Sequence, residues 1–280
     1  TPFVIAGPNV IESEEHALSI ARSIATLART RRATFLFKAS WDKANRTSPD
    51  AYRGVALDDA KRILKRVRDE THLPVVTDVH EPHQAERLAE FADVLQIPAF
   101  LCRQTDLLRA AAATGRVVHV KKGQFCDAAT LHQSKLKLLT AGNPNVILCE
   151  RGTFFGYNDL VVDPRSLVRL RSETNLVSMD ITHCLQRPAI EQTDGTVRAG
   201  GSSRELTPWM GRLALAMGAD GIFVEVHDRP DESLCDAPTQ WPLERLPELL
   251  DFAGVLRLAE AAAHGEEGPP ESPVAAGADG

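Results

Sequence analysis

Polar and charged side chains recur in this chain wherever a short apolar run ends, and their types suit the handling of anions. Asn9 and Glu12 follow the first such run, Lys38 and Ser40 the second, Asp78, His80 and Glu81 the third, and Gln96 the fourth. Lys121 and Lys122 close the fifth, Glu150 and Arg151 the sixth, Asp180 and His183 the seventh, Glu225 and His227 the eighth. The segment KASWDKANRTS at 38–48 adds Lys43, Asn45, Arg46, Thr47 and Ser48. It combines a bidentate anion donor with hydroxyls and an amide, which is how a phosphate is held. With Arg103, Lys121 and Arg151, at least six cationic groups converge on one mouth, enough for a set of substrates carrying two phosphates. Taken singly, a lysine after a strand is more often a solvated loop charge than a ligand; for the whole set, ion-paired loop ends are the lesser alternative. His183, Glu225 and Asp236 form a His-plus-carboxylate grouping that either binds a divalent metal or moves protons, and spacing does not choose between these or a core polar role.

Elements must bring these residues together. Apolar runs suited to buried strands lie at 3–7, 35–39, 74–79, 94–99, 117–121, 146–150, 176–181 and 221–226. Helical periodicity follows at 13–30, 54–70, 82–92, 104–114, 128–140, 203–217 and 241–263, more weakly at 165–173, and Ser13 before Glu14 and Glu15 makes a capped start. Eight β-then-α units predict an α/β fold, a (β/α)8 TIM barrel in a single domain over 1–264, whose active site forms at the C-terminal ends of the strands. AGPN at 6–9 is not the G-x-G-x-x-G of a doubly wound nucleotide-binding sheet. The polar, glycine-rich connection 184–202 is expected to be a mobile loop over the site. Residues 265–280, with three prolines and no bulky apolar residue except Val274, are expected to be a disordered tail.

Composition excludes other classes. Of 280 residues, 43% are hydrophobic and 25% charged, as in a globular protein. Thirty-two Lys and Arg against 38 Asp and Glu give −6, so no general basic surface is available to nucleic acid. Five widely spaced cysteines, Cys102, Cys126, Cys149, Cys184 and Cys235, form no C-x-x-C pair and suit a reducing, cytoplasmic setting. No stretch approaches the ~18 uncharged apolar residues of a membrane span, and an export signal is not expected. The chain begins at Thr1 rather than Met, which is compatible with a segment removed ahead of it.

AGPNVIES at 6–13, KASWDKANRTS at 38–48, TDVHEPHQAE at 77–86, QIPAFLCRQTDL at 96–107, VKKGQF at 120–125, ERGTFFGYNDLVVD at 150–163 and DITH at 180–183 closely resemble 3-deoxy-D-manno-octulosonate 8-phosphate synthases. The resemblance covers roughly residues 3–255. It implies a (β/α)8 homotetramer that condenses phosphoenolpyruvate with D-arabinose 5-phosphate and releases phosphate, a transferase reaction on the way to the inner sugar of lipopolysaccharide. It implies a phosphoenolpyruvate pocket of Lys38, Ser40, Lys43, Asp78, Gln96, the backbone at Ala99, Lys121 and Arg151. Asn45, Arg46 and Thr47 would meet arabinose 5-phosphate, and Arg103 would reach a neighbouring subunit's sugar phosphate. The related synthase that uses erythrose 4-phosphate typically has Lys-Pro-Arg-Thr-Ser where this chain has Lys43-Ala44-Asn45-Arg46-Thr47-Ser48, so the inserted Ala-Asn favours the pentose. A barrel that binds sugar phosphates without catalysis would need damaged positions, and these are intact.

One class of the family holds a divalent metal through Cys, His, Glu and Asp, and another works without metal and carries Asn in place of the Cys. This chain has Asn9, so the resemblance implies a metal-independent enzyme without cofactor, in which His183, Glu225 and Asp236 are a remnant trio. The segment Cys235-Asp236-Ala237-Pro238-Thr239-Gln240 mixes features of both classes. The expected catalytic set is Asn9, Lys38, Lys43, His183, Glu225 and Asp236. Lys43 would protonate the developing alkoxide, and His183 with Asp236 would position or activate water.

Overall fold

The computed structural model describes residues 2–255 apart from 32, 47, 155–158, 173–174, 188–189, 192–196 and 199. The expected tail, and the helix beyond residue 255, lie outside the described residues. Eight parallel strands close into a barrel: β1 (Phe3–Gly7), β2 (Thr34–Lys38), β3 (Val75–Asp78), β4 (Val94–Ile97), β5 (Val117–Lys121), β6 (Val146–Glu150), β7 (Leu176–Asp180) and β8 (Gly221–His227). Closure is the parallel pairing of β1 with β8, in register from Phe3 with Gly221 to Gly7 with Glu225. All eight strands coincide with the predicted runs within a residue or two.

The helices between them are α1 (Glu14–Arg31), α2 (Leu57–Thr71), α3 (Ala85–Ala89), α4 (Thr105–Ala113), α5 (Ala128–Thr140), α6 (Pro164–Leu170), α7 (Thr207–Ala216) and α8 (Leu246–Ala253). The predicted cap of α1 forms, with Ser13 Oγ accepting the His16 N–H at 3.2 Å. Helix α3 is shorter than its periodicity suggests, because a 3-10 turn at Pro82–Gln84 takes its start.

Strand alternation builds two cores. Residues of one phase, among them Val4, Ala6, Phe35, Phe37, Leu95, Ile97, Val118, Val120, Leu148, Met179, Ile222 and Val224, point outward and pack beneath the helices. Residues of the other phase, Phe3, Ile5, Val76, Val94, Ile147 and Phe223, fill the N-terminal end of the barrel interior. Two residues further along, the inward phase turns polar: Asp78 follows Val76, Gln96 follows Val94 and Glu225 follows Phe223. Gly7 ends β1 against β2, where a Cβ would stand 2.0 Å from the Lys38 carbonyl oxygen. Its bareness lets Asn9 approach Lys38.

Candidate active site

The polar ends of the strands surround a cavity of about 560 Å3. Lys38, Lys43, Arg46, Lys121, Arg151 and Arg187 line it against the carboxylates Asp78, Asp180, Glu225 and Asp236. The predicted cationic mouth is therefore real, but much of its charge is already paired. Lys38 Nζ lies 2.8 Å from Glu225 Oε1 and also donates to the Asn9 carbonyl at 2.9 Å. Lys121 Nζ pairs with Asp180 and sits 3.1 Å from the centre of the Phe223 ring, a cation–π contact. Among the described residues, Arg151 has no ion-pair partner, although it is 7% exposed and its Nη1 makes no hydrogen bond.

Glu225 is the hub, held by donors from four directions besides Lys38. Its Oε2 accepts from Asn9 Nδ2 at 2.5 Å and from Gln240 Nε2 at 3.0 Å, His183 Nε2 lies 3.3 Å away, and Lys43 Nζ is 3.9 Å from Oε1. Burial would raise the carboxyl's pKa, yet the charges of His183, Lys38 and Lys43 hold it well below the ordinary range. His183 is clamped on its other side by Asp180, whose Oδ2 is 2.7 Å from Nδ1. Burial opposes the imidazolium, but Asp180 and Glu225 outweigh it and push its pKa up to about 9. The two flanking carboxylates therefore favour the protonated ring. Burial destabilises the Lys38 ammonium and lowers its pKa; Lys43 is raised despite burial, because Glu225 and Asp78 face it.

Asp78 forms a second cluster. Ser40 Oγ and Gln96 Nε2 both donate to its carboxylate. Burial works against the anion, but Lys38 and Lys43 bring its pKa down to about 2. Asp236 follows strand β8 in the left-handed conformation (φ 49°), accepts from Asn9 Nδ2 at 3.1 Å and lies 3.5 Å from Arg46 Nη1. The Arg46 guanidinium also donates to Cys235 Sγ.

Asn9 turns its amide N–H groups to Glu225 and Asp236. His183 has a carboxylate at each ring nitrogen, and Glu225 has donors on both oxygens.

The structure places most predicted residues together and moves some. Lys38, Lys43, Asn45, Arg46, Asp78, Gln96, Ala99, Lys121, Arg151, His183, Glu225 and Asp236 line the one cavity. Asn9 and Ser40 lie behind its wall, the Ser40 hydroxyl being taken up by Asp78 rather than facing the space. Thr47 lies outside the described residues. Arg103, counted with the cationic mouth, is exposed and lines no part of this cavity; its position before α4 carries it to the outside. Lys122 is fully buried and turned away, with Nζ on the carbonyls of Cys126 and Gly152 at 3.0 and 2.9 Å and near Glu150. The loop 184–202 is partly outside the described residues; its described ends are tied by the Arg187 N–H to the Gly201 carbonyl at 2.8 Å. Asp180, Gln240 and Phe223 were not singled out as site residues. The DITH motif signalled Asp180, whereas Phe223 reads as one more apolar strand residue.

Glu12 and His227, also at strand ends, leave the mouth and meet His16 at a second cavity of about 270 Å3. The ligand-capable atoms of the three lie within 4.8 Å of one another. His227 Nδ1, however, accepts the Arg229 N–H at 2.9 Å, so a neutral ring has its proton on Nε2, facing Glu12 Oε1 at 3.4 Å. That leaves His227 no lone pair for a metal, and the cluster clamps the end of β8 to the start of α1.

Residues 1–255 match the sequence profile of the DAHP synthetase I family. The chain belongs to that family. It is 53% identical over 249 residues to 2-dehydro-3-deoxyphosphooctonate aldolase 2 of Arabidopsis thaliana, covering 89% of this chain and 86% of the relative. It is 49% identical to the 2-dehydro-3-deoxyphosphooctonate aldolase of Nitratidesulfovibrio vulgaris strain DP4, with 89% of each chain covered. The same-named protein of a Cyanothece species is 46% identical over 261 residues, 93% of this chain and 94% of that one. Membership is thus with the 2-dehydro-3-deoxyphosphooctonate aldolases of the family. Among the described residues, no helix is long and apolar enough to cross a membrane.

Proposed function

We propose that this chain condenses phosphoenolpyruvate with D-arabinose 5-phosphate and water to give 3-deoxy-D-manno-octulosonate 8-phosphate and phosphate. The observation that carries the reading is the cavity that gathers Lys38, Lys43, Arg46, Lys121 and Arg151 at the strand ends of a chain 46–53% identical to aldolases of that name. Phosphoenolpyruvate brings a carboxylate and a phosphate, and Arg151, with no carboxylate of its own among the described residues, is free to take one of them bidentately. Arg46 and Asn45, which also line the cavity, meet the sugar phosphate and hydroxyl groups. In the reaction, phosphoenolpyruvate C3 bonds to the sugar aldehyde carbon, and the aldehyde oxygen takes a proton. Water adds its oxygen at C2 and loses a proton, and C–O cleavage then expels phosphate and leaves the ketone. Lys43, a persistent cation, faces the developing alkoxide. With His183 held toward its protonated form by Asp180 and Glu225, Asp236, the least enclosed carboxylate at the site, is the better acceptor for the water's proton.

Metal independence is part of the same reading. Its support is the Asn9 amide donating to Glu225 and Asp236. A homotetramer in the cytoplasm completes it: Arg103, exposed outside its own subunit's cavity, is available to a neighbour's, and the described cysteines are all free thiols.

Parallel assays of phosphate release with arabinose 5-phosphate and erythrose 4-phosphate test the substrate; faster turnover with the tetrose would overturn it. Activity should survive exhaustive chelation, and restoration of lost activity by a divalent ion would refute the role given to Asn9. Asn9→Cys should make activity respond to metal.

A further inference from the structure

Strand β5 contributes a residue that no part of the proposed chemistry uses: His119, fully buried between Gln96 and Ser178. Its Nδ1 is 3.0 Å from Gln96 Oε1, its Nε2 is 3.0 Å from Ser178 Oγ, and its ring stacks on Phe223 with 6.0 Å between centroids. The polarity of this chain of hydrogen bonds is fixed from its far end. Asp78 is a carboxylate and only accepts, so the Gln96 amide must turn its NH2 toward it. The Gln96 oxygen then faces His119, and only an Nδ1–H can satisfy it. Nε2 is left with a lone pair, which takes the Ser178 hydroxyl proton. Burial and the neighbouring Lys121 charge keep the imidazole neutral, with its pKa down to about 3, so this single tautomer persists through the physiological range.

We propose that His119, backed by Ser178, is a positioning residue for phosphoenolpyruvate: its Nδ1–H anchors the oxygen end of the Gln96 amide while Asp78 holds the nitrogen at the cavity wall. Without the Nδ1–H the Gln96 oxygen is left buried without that donor and the side chain shifts to find another, which misplaces both Gln96 and Asp78. The inference rests on the reading of Gln96 and Asp78 as part of the phosphoenolpyruvate pocket.

The test compares His119→Phe, which keeps the ring but not the donor, with His119→Asn, whose amide can supply an N–H near the Nδ1 position. His119→Phe should raise KM for phosphoenolpyruvate about tenfold and move KM for arabinose 5-phosphate less than twofold, as expected for loss of one oriented buried hydrogen bond. His119→Asn should restore most of that. Ser178→Ala should shift the same KM in the same direction by about threefold, and decides the matter if His119→Phe does not fold. Gln96→Leu serves as the control on the pocket itself. If Gln96→Leu raises KM for phosphoenolpyruvate while folded His119→Phe and Ser178→Ala do not, or if both substrates weaken equally, the positioning role is wrong. If Gln96→Leu also leaves that KM unchanged, the pocket assignment falls and the role with it.

Discussion

The two ends of the barrel interior are built from the same strands in the same phase, yet they are opposites. At the N-terminal end Phe3, Ile5, Val76, Val94 and Ile147 form an apolar plug, topped by Phe223, which also lines the cavity. At the other end Lys38, Asp78, Gln96, His119, Lys121, Asp180 and Glu225 are equally buried but charged or polar. The plug is held by area removed from water, which is non-directional and tolerant of substitution of similar volume. The polar layer is held because most of its charges have partners: Lys38 with Glu225, Lys121 with Asp180, His183 between two carboxylates, and Asp78 on the Ser40 and Gln96 donors. A layer of paired buried charges costs stability that an apolar one would not. Its return is a set of cations fixed in place before any anionic substrate arrives.

The largest expected break in this contrast is Glu225→Leu, which leaves Lys38 buried without its carboxylate and His183 with Asp180 alone. Turnover should vanish and denaturant unfolding should show a loss of about 3–5 kcal/mol. Ile5→Ala in the plug should lower stability by about 3 kcal/mol in the same measurement while leaving KM for both substrates unchanged below its melting temperature. Altered substrate binding there would mean that the two ends are coupled.

Proton linkage should separate the ends as well. His183 has a folded pKa raised to about 9 against an ordinary 6.5, so its contribution is fully present below pH 6.5 and is lost as pH rises to about 9. Urea unfolding of the native chain should therefore lose up to about 3 kcal/mol between those limits, and His183→Gln should flatten that slope. Asp78 runs the other way: its folded pKa is lowered to about 2, so its stabilisation is present above pH 3.8 and fades as pH falls to 2. The smallest stability effect should come from Arg151→Leu. With no ion pair among the described residues to lose, it should leave unfolding within about 0.5 kcal/mol of the parent. Its kcat/KM for phosphoenolpyruvate should nevertheless fall about thirtyfold, as when a charged hydrogen bond is removed.

Much of this was legible in residue order. The eight apolar runs mark the barrel strands because a strand covered on both faces must be apolar over several residues, and the first polar residue after each run marks where the barrel wall opens. That is why Lys38, Asp78, Gln96, Lys121, Arg151, His183 and Glu225 could be named before any coordinates. What residue order did not distinguish is direction. Lys121 and Lys122 are neighbours of one type, but successive strand residues face opposite sides, so one enters the cavity and the other is buried on loop carbonyls. Arg103 and Arg151 differ likewise, one on the outer surface before a helix and one in the wall.

Residue order by itself therefore determined the barrel, the site's end of it and the chemical types gathered there, because strand periodicity and burial are local properties of the chain. Only the tertiary structure decided which charges are paired and which are free. It turned Asn9 toward two carboxylates, put His183 within reach of Asp180 and Glu225, and set His119 behind Gln96. Each of these depends on atoms that chain closure brings within about 3 Å from strands far apart in sequence, and at that range the identity of the neighbour decides the charge state.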